Sequence, residues 1–236
     1  MDLTSKQLAQ EWEYFFPYHY LDIVSEDDKL MSVEYLSYIR KVKSLLKTNK
    51  KILDIGCGDG RFCYEASFED NINISGVDYS DRAIRFAQAF SPDIEFYCQD
   101  IYNLSLPYKY DMAVLIETIE HFEPIKLPEI LKNIANILVD EGEIIVTVPS
   151  VLLELPPKHY QHFTVQSLTE TLSPQFDIIS ISGYSLTGNK QKLFKTLRSV
   201  ARVLYPFRFR FKLYNKIVNY LFEYYDENLA TGDPYN

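Results

Sequence analysis

The chain has 236 residues, 47% of them hydrophobic and 24% charged, which suits one globular domain with a modest appendage and a sizeable core. Its formal net charge of -9 argues against a free nucleic-acid binder, which usually carries a basic face. Three cysteines, Cys57, Cys63 and Cys98, form no CxxC pair and speak for free thiols in a reducing compartment, not a disulfide frame.

The first 48 residues read as a helical cap. One helix is expected over 3–15, then an aromatic link, Phe16-Pro17-Tyr18-His19-Tyr20, then a helix over 25–47 with Leu30, Val33, Leu36, Ile39, Val42 and Leu46 at helical spacing. The N-terminus lacks a basic start followed by an apolar stretch, and no apolar run approaches the ~20 residues of a membrane span. A cytoplasmic protein is therefore expected.

Strands and helices then alternate over 49–184. Strands are expected at 51–55, 72–77, 94–98, 110–116, 143–148 and 176–181, with a turn at Gly142 before the fifth. Helices are expected through Phe62 and Tyr64, after Ser80 as N-cap, and over 127–138 with Leu127, Ile130, Leu131, Ile134 and Leu138 on one face. Such alternation predicts an α/β, Rossmann-like, mostly parallel sheet with helices on both faces. In that architecture the ligand lies beyond the carboxyl ends of the strands.

Residues 185–236 form a basic appendage. From Lys190 to Phe222 there are nine Lys or Arg and no acid, so the local charge is +9 and the remainder sums to -18. Leu193, Leu197, Val200 and Leu204 mark one amphipathic helix. The alternating run Tyr205-Pro206-Phe207-Arg208-Phe209-Arg210-Phe211 follows, and Leu213, Ile217, Tyr220, Leu221 and Tyr224 mark a second helix. The favoured reading is a core stripe with solvated charges. Contact of 190–225 with an anionic membrane surface comes next, and RNA last.

The first strand runs into Asp54-Ile55-Gly56-Cys57-Gly58-Asp59-Gly60. Glycines at a strand-to-helix turn let the backbone approach a ligand. Asp78 ends the second strand 18 residues after Gly60, close to the spacing of an acid that grips ribose hydroxyls. A dinucleotide loop wants a third glycine where this chain has Arg61, and an acid at Asp54 suits an amine better than a pyrophosphate. NAD, and with it an oxidoreductase, is the runner-up.

These residues resemble the class I S-adenosylmethionine (SAM)-dependent methyltransferases. LDIGCGDGRF (53–62) resembles their first motif, GVDYS (76–80) their ribose-binding step, CQDI (98–101) the segment after the third strand, DMAVLIETIEHF (111–122) the fourth-strand motif, and 131–150 the block that closes the core. The resemblance covers roughly 50–183. It implies SAM as cofactor, with Gly56, Cys57, Gly58 and Gly60 around the methionine part and Asp54 near its ammonium. It also implies Asp78 on the ribose, Tyr79 on the adenine, Asp100 and Ile101 at the adenine edge, and Glu117 beside the methyl group. The family usually ends in an antiparallel pair, strands six and seven; whether this chain has the seventh stays open.

Methyl transfer is an in-line displacement that needs an aligned nucleophile and often a base. His121 follows the fourth strand, and His159 and His162 follow the fifth, so these three are the candidate catalytic residues. No metal is the first expectation. The alternative is a divalent ion on Glu117, Glu120, His121 and His162, since small-RNA terminal 2′-O-methyltransferases use a similar ExxEH with a later HxxH. The expected activity is O-methylation of a small-molecule, glycan-type or lipid-linked acceptor. A metal-dependent RNA methyltransferase and a non-catalytic SAM-binding module are the alternatives. Nothing in the sequence sets the oligomeric state.

Overall fold

The computed structural model describes residues 3–24, 29–186, 188–207, 212–228 and 230–232. In chain order the elements are α1 (Ser5–Glu13), α2 (Leu21–Val24), α3 (Lys29–Lys43), β1 (Lys51–Ile55), α4 (Arg61–Ala66), β2 (Asn73–Asp78), α5 (Asp81–Phe90) and β3 (Phe96–Cys98). There follow β4 (Tyr110–Ile116), α6 (Leu127–Ile137), β5 (Leu138–Thr147), α7 (Val165–Leu172), β6 (Gly183–Ser185), α8 (Gly188–Leu204), α9 (Lys212–Asn228) and β7 (Ala230–Gly232). Contacts divide the chain into two bodies, Met1–Tyr18 with Leu45–Ile179 and His19–Ser44 with Ser180–Asn236. The division thus interleaves the segments 1–48, 49–184 and 185–236 anticipated from sequence.

The first body holds a five-stranded, all-parallel sheet in the order β3-β2-β1-β4-β5. Strand β4 is apolar on both faces because it is central, and Met112, Ala113, Val114 and Leu115 are all buried. One face of α6 (Leu127, Ile130, Leu131, Ile134) packs into a core with Leu53, Leu115, Ile119 and Leu168. Ser80 caps α5, its hydroxyl accepting from Ala83 N–H at 3.1 Å. The strand order reverses between β1 and β4, which places the ligand crevice there.

Two expectations change. Strand β5 starts at Leu138, before Gly142, because Glu141 takes a left-handed conformation (φ 60°) and absorbs a register shift opposite Tyr110 and Met112. A bulge therefore replaces the expected turn. Residues 176–181 form no strand: they have no ladder partner, and Ile179 is 86% exposed. An apolar run alone does not make a strand without an edge to pair with. The sixth strand is instead β6, which pairs antiparallel with β7 in a separate two-stranded ribbon.

In the second body α3, α8 and α9 pack around Leu30, Val33, Phe194, Ala201, Tyr214, Val218 and Leu221. The apolar stripe of α8 is thus turned from the expected one: Phe194, Leu197, Ala201 and Leu204 face inward, and Leu193 and Val200 are exposed. The aromatic at 194 buries more area than the leucine beside it and sets the phase. Residues 25–28 of the expected second helix and 208–211 of the aromatic–basic run lie outside the described residues. Among the described residues no helix is long and apolar enough to cross a membrane.

Candidate functional site

A cavity of about 710 Å³ opens over the carboxyl ends of β1, β2 and β4. Gly56, Asp78, Tyr79, Asp100, Ile101 and Glu117 line it, each at or just after a strand end. Asp54, Cys57, Gly58 and Gly60 are buried off the lining.

The glycine turn is held from three sides. Gly56, Gly58 and Gly60 all have positive φ (76°, 54°, 79°), a backbone that L side chains rarely adopt. A Cβ on Gly56 would sit 2.6 Å from Cγ2 of Thr118, whose hydroxyl donates to the carbonyls of Ile55 and Ile116. Asp78 ties the turn to the next helix: its Oδ2 accepts from Gly58 N–H at 3.0 Å and its Oδ1 from Ser80 N–H at 2.9 Å. Arg61, at the site of a third dinucleotide glycine, has its guanidinium on Glu65 Oε1 at 2.8 Å. Burial pushes Asp78 up to about 6 and Asp54 up to about 7, the Cys63 thiol being the group that donates to Asp54. The backbone amides on Asp78 pull the other way, since they favour its charged form.

Helix α1 roofs the cavity through Lys6, Gln7, Gln10 and Tyr14, none of which the sequence reading singled out. Thr4 starts the helix with a capping box to Gln7. Lys6 Nζ donates to the carbonyls of Pro157 and His159, and Tyr79 Oη donates to the Gln7 carbonyl at 3.3 Å. Lys158 pairs with Glu13 at 2.7 Å. The hydroxyl of Tyr14 lies where a Cβ on Gly58 would be, 2.5 Å away. Helical spacing of 3, 6, 7, 10 and 14 was visible in the sequence, but its docking against 157–160 has no local signal.

Opposite the glycine turn the cavity is walled by Tyr102, Phe122, Lys126, Tyr160 and His121. Of the three candidate histidines only His121 lines it. His159 is 9% exposed, with its ring edge-on to His121 at 4.6 Å between centroids, and its Nδ1 is 3.0 Å from His162 Nε2. Burial holds His121 down to about 3 and His159 to about 4, with Lys158 adding to both. Glu120 is fully buried, and desolvation together with Glu117 raises it well above the ordinary carboxylate range. One ligand atom from each of Glu120, His121 and His159 lies within 4.8 Å of the others. From the expected ligand set this group keeps Glu120 and His121, has His159 in place of His162, and leaves Glu117 outside. Glu117 itself takes a left-handed backbone (φ 49°), strain of the kind that collects at functional sites.

Comparison with known proteins accords with this geometry. The profile of the family described as "Methyltransferase domain" matches residues 46–198, more than half of the chain. A protein of Invertebrate iridescent virus 6, named as a candidate methyltransferase, is 31% identical over 93 residues, 39% of this chain and 35% of that one. The ubiquinone biosynthesis O-methyltransferase of Thiobacillus denitrificans is 32% identical over 78 residues, 30% of this chain and 33% of that one. The chain thus spans about a third of the length of these relatives. The N-methyltransferase NodS of Bradyrhizobium japonicum WM9, solved with S-adenosyl-L-homocysteine (SAH), superposes with a TM-score of 0.62 at 14% identity, over 78% of this chain and 92% of that one. The family match excludes the dinucleotide reading, and with it the expectation of an oxidoreductase. The chain belongs to the methyltransferase domain family and has the fold of the class I SAM-dependent methyltransferases.

Proposed function

We propose that the protein methylates an oxygen of a small, ring-bearing acceptor with SAM as donor. The observation that carries this reading is a single cavity with a ribose-type carboxylate at one end and the aromatic wall Tyr102, Phe122 and Tyr160 beside His121 at the other. Its volume of about 710 Å³ suits a cofactor with a small acceptor. The lining is mostly apolar, which favours a planar ring over a sugar.

SAM lies with its ribose hydroxyls on Asp78 and its methyl group toward Glu117 and His121. The acceptor stacks on the aromatic wall and presents its hydroxyl along the S–CH3 axis. The O–CH3 bond forms as the S–CH3 bond breaks, SAH departs, and the hydroxyl proton leaves at the His121 corner. Alignment supplies most of the acceleration. Incubation with methyl-labelled SAM tests the reading against matched phenol, catechol and amine acceptors. Label in an ether product is the expected result. Label in amines alone, or tight SAH binding with no transfer to any acceptor, overturns it.

The buried acids give a pH dependence. Asp54 at about 7 and Asp78 at about 6 hold protons in the folded chain that the unfolded chain, with carboxylates near 4, has already lost. Stability of the ligand-free protein therefore falls as pH rises from about 5 to 8. A ligand with an ammonium and a ribose diol selects the ionised carboxylates. SAM binding should thus tighten over the same window, on the order of tenfold between about pH 5.5 and 8. Calorimetric titration at several pH values checks this, and a flat or falling affinity contradicts it.

A further inference from the structure

We propose that Glu120, His121 and His159 form a three-ligand site for a first-row divalent cation, open toward the cavity. Three observations support it independently of the cofactor pocket.

Glu120 is 0% exposed, and neither of its carboxylate oxygens has a hydrogen-bond partner. A buried polar group without a partner is costly, and a carboxylate more so. His121 Nε2 stands 3.9 Å from Glu120 Oε1, too far for a hydrogen bond but suited to two ligands of one ion. A cation between them satisfies the orphaned oxygens.

The imidazoles are arranged as ligands. The His121 and His159 rings meet edge to face with centroids 4.6 Å apart, and one donor atom from each, with one from Glu120, falls within 4.8 Å of the others. His159 Nδ1 lies 3.0 Å from His162 Nε2. With the proton on Nδ1, His159 donates to His162 and turns its Nε2 lone pair to the ion. That is the usual way a second residue fixes the tautomer and direction of a ligating histidine. His162 is therefore a positioning residue, not a ligand.

The neighbouring cations do not occupy the space. Lys158 is paired with Glu13 at 2.7 Å, and Lys6 donates to the carbonyls of Pro157 and His159. Glu120 and His159 lie behind His121, which lines the cavity, so the remaining coordination position faces the acceptor. Two imidazoles and one carboxylate with an open place suit Zn2+, Co2+ or Mn2+ better than Mg2+. Bound there, the ion supplies Lewis acidity that lowers the pKa of an acceptor hydroxyl. This use rests on the O-methylation reading; the site itself does not.

The test is titration of the chelator-treated full chain with Co2+, read by its visible absorption and by metal content after desalting. One Co2+ per chain is expected. Glu120→Gln and His159→Ala should abolish it, and His162→Ala should weaken it about 10–100-fold. SAH affinity and thermal midpoint, measured on each variant, establish that it is folded. Two variants with different side-chain volumes guard against one failing to fold. No Co2+ uptake by the wild type, or uptake unchanged in folded Glu120→Gln and His159→Ala, overturns the site. Uptake with the expected losses but no label in any oxygen acceptor leaves the site standing and removes the O-methylation reading alone.

Discussion

Asp78→Ala is expected to weaken SAH binding about 10–100-fold, equivalent to roughly 1.4–2.8 kcal/mol. The carboxylate is 7% exposed and already accepts from two backbone amides, one on each oxygen. Each oxygen keeps a second lone pair, and the residue lines the cavity, so a ribose diol finds two acceptors there. A hydrogen bond to a charged group contributes about 1.5–3 kcal/mol, of which part is lost to competition with water. Alanine also releases the Gly58 amide and loosens the glycine turn. Asp78→Asn keeps the side-chain volume and one acceptor oxygen, so its loss should be smaller. Calorimetry with SAH on both variants decides the matter. Affinity unchanged in the alanine variant removes the ribose assignment.

Gly60→Ala should be the most damaging single methyl addition in the turn. At φ 79° any L side chain is strained, by roughly 1–2 kcal/mol. The added Cβ would also lie 2.6 Å from the Cβ and 3.1 Å from the Cα of Ala87, in the middle of α5. The Cα belongs to backbone and cannot rotate away, so overpacking adds about 1–3 kcal/mol. A combined loss of about 2–5 kcal/mol lowers the thermal midpoint by roughly 5–15 °C for a chain of this size. Pairing Gly60→Ala with Ala87→Gly should recover the steric share and leave the φ strain. Thermal denaturation of the single and double variants measures both. A single variant as stable as the parent would mean that α5 can shift and that the close approach is not needed.

Both predictions rest on residues legible in the sequence, and the reason is local. The glycine turn, the Asp78 spacing and the Ser80 cap are set by covalent neighbours. Strands β1 and β4 have the expected bounds because continuous apolar runs bracketed by turn residues leave little choice of boundary. Legibility fails where partners are distant in sequence. Residues 176–181 alternate like a strand, yet strand formation depends on an edge elsewhere. The phase of α8 depends on which of two adjacent apolar residues, Leu193 or Phe194, has a partner on α3 or α9. In the histidine cluster, spacing could not choose between His159 and His162, because a three-residue offset places either near the strand ends. The tie from Lys6 to Pro157 and His159 crosses some 150 residues and leaves no trace in the local pattern.

Helix α1 contributes four polar or aromatic walls to the cavity, yet none of its residues belongs to the core of the sheet. Acceptor choice and foldability are therefore written in different stretches of the chain. Drift along one short amphipathic segment can redraw what the enzyme accepts while the strands go on assembling as before, which makes this segment the natural target for laboratory evolution toward new substrates.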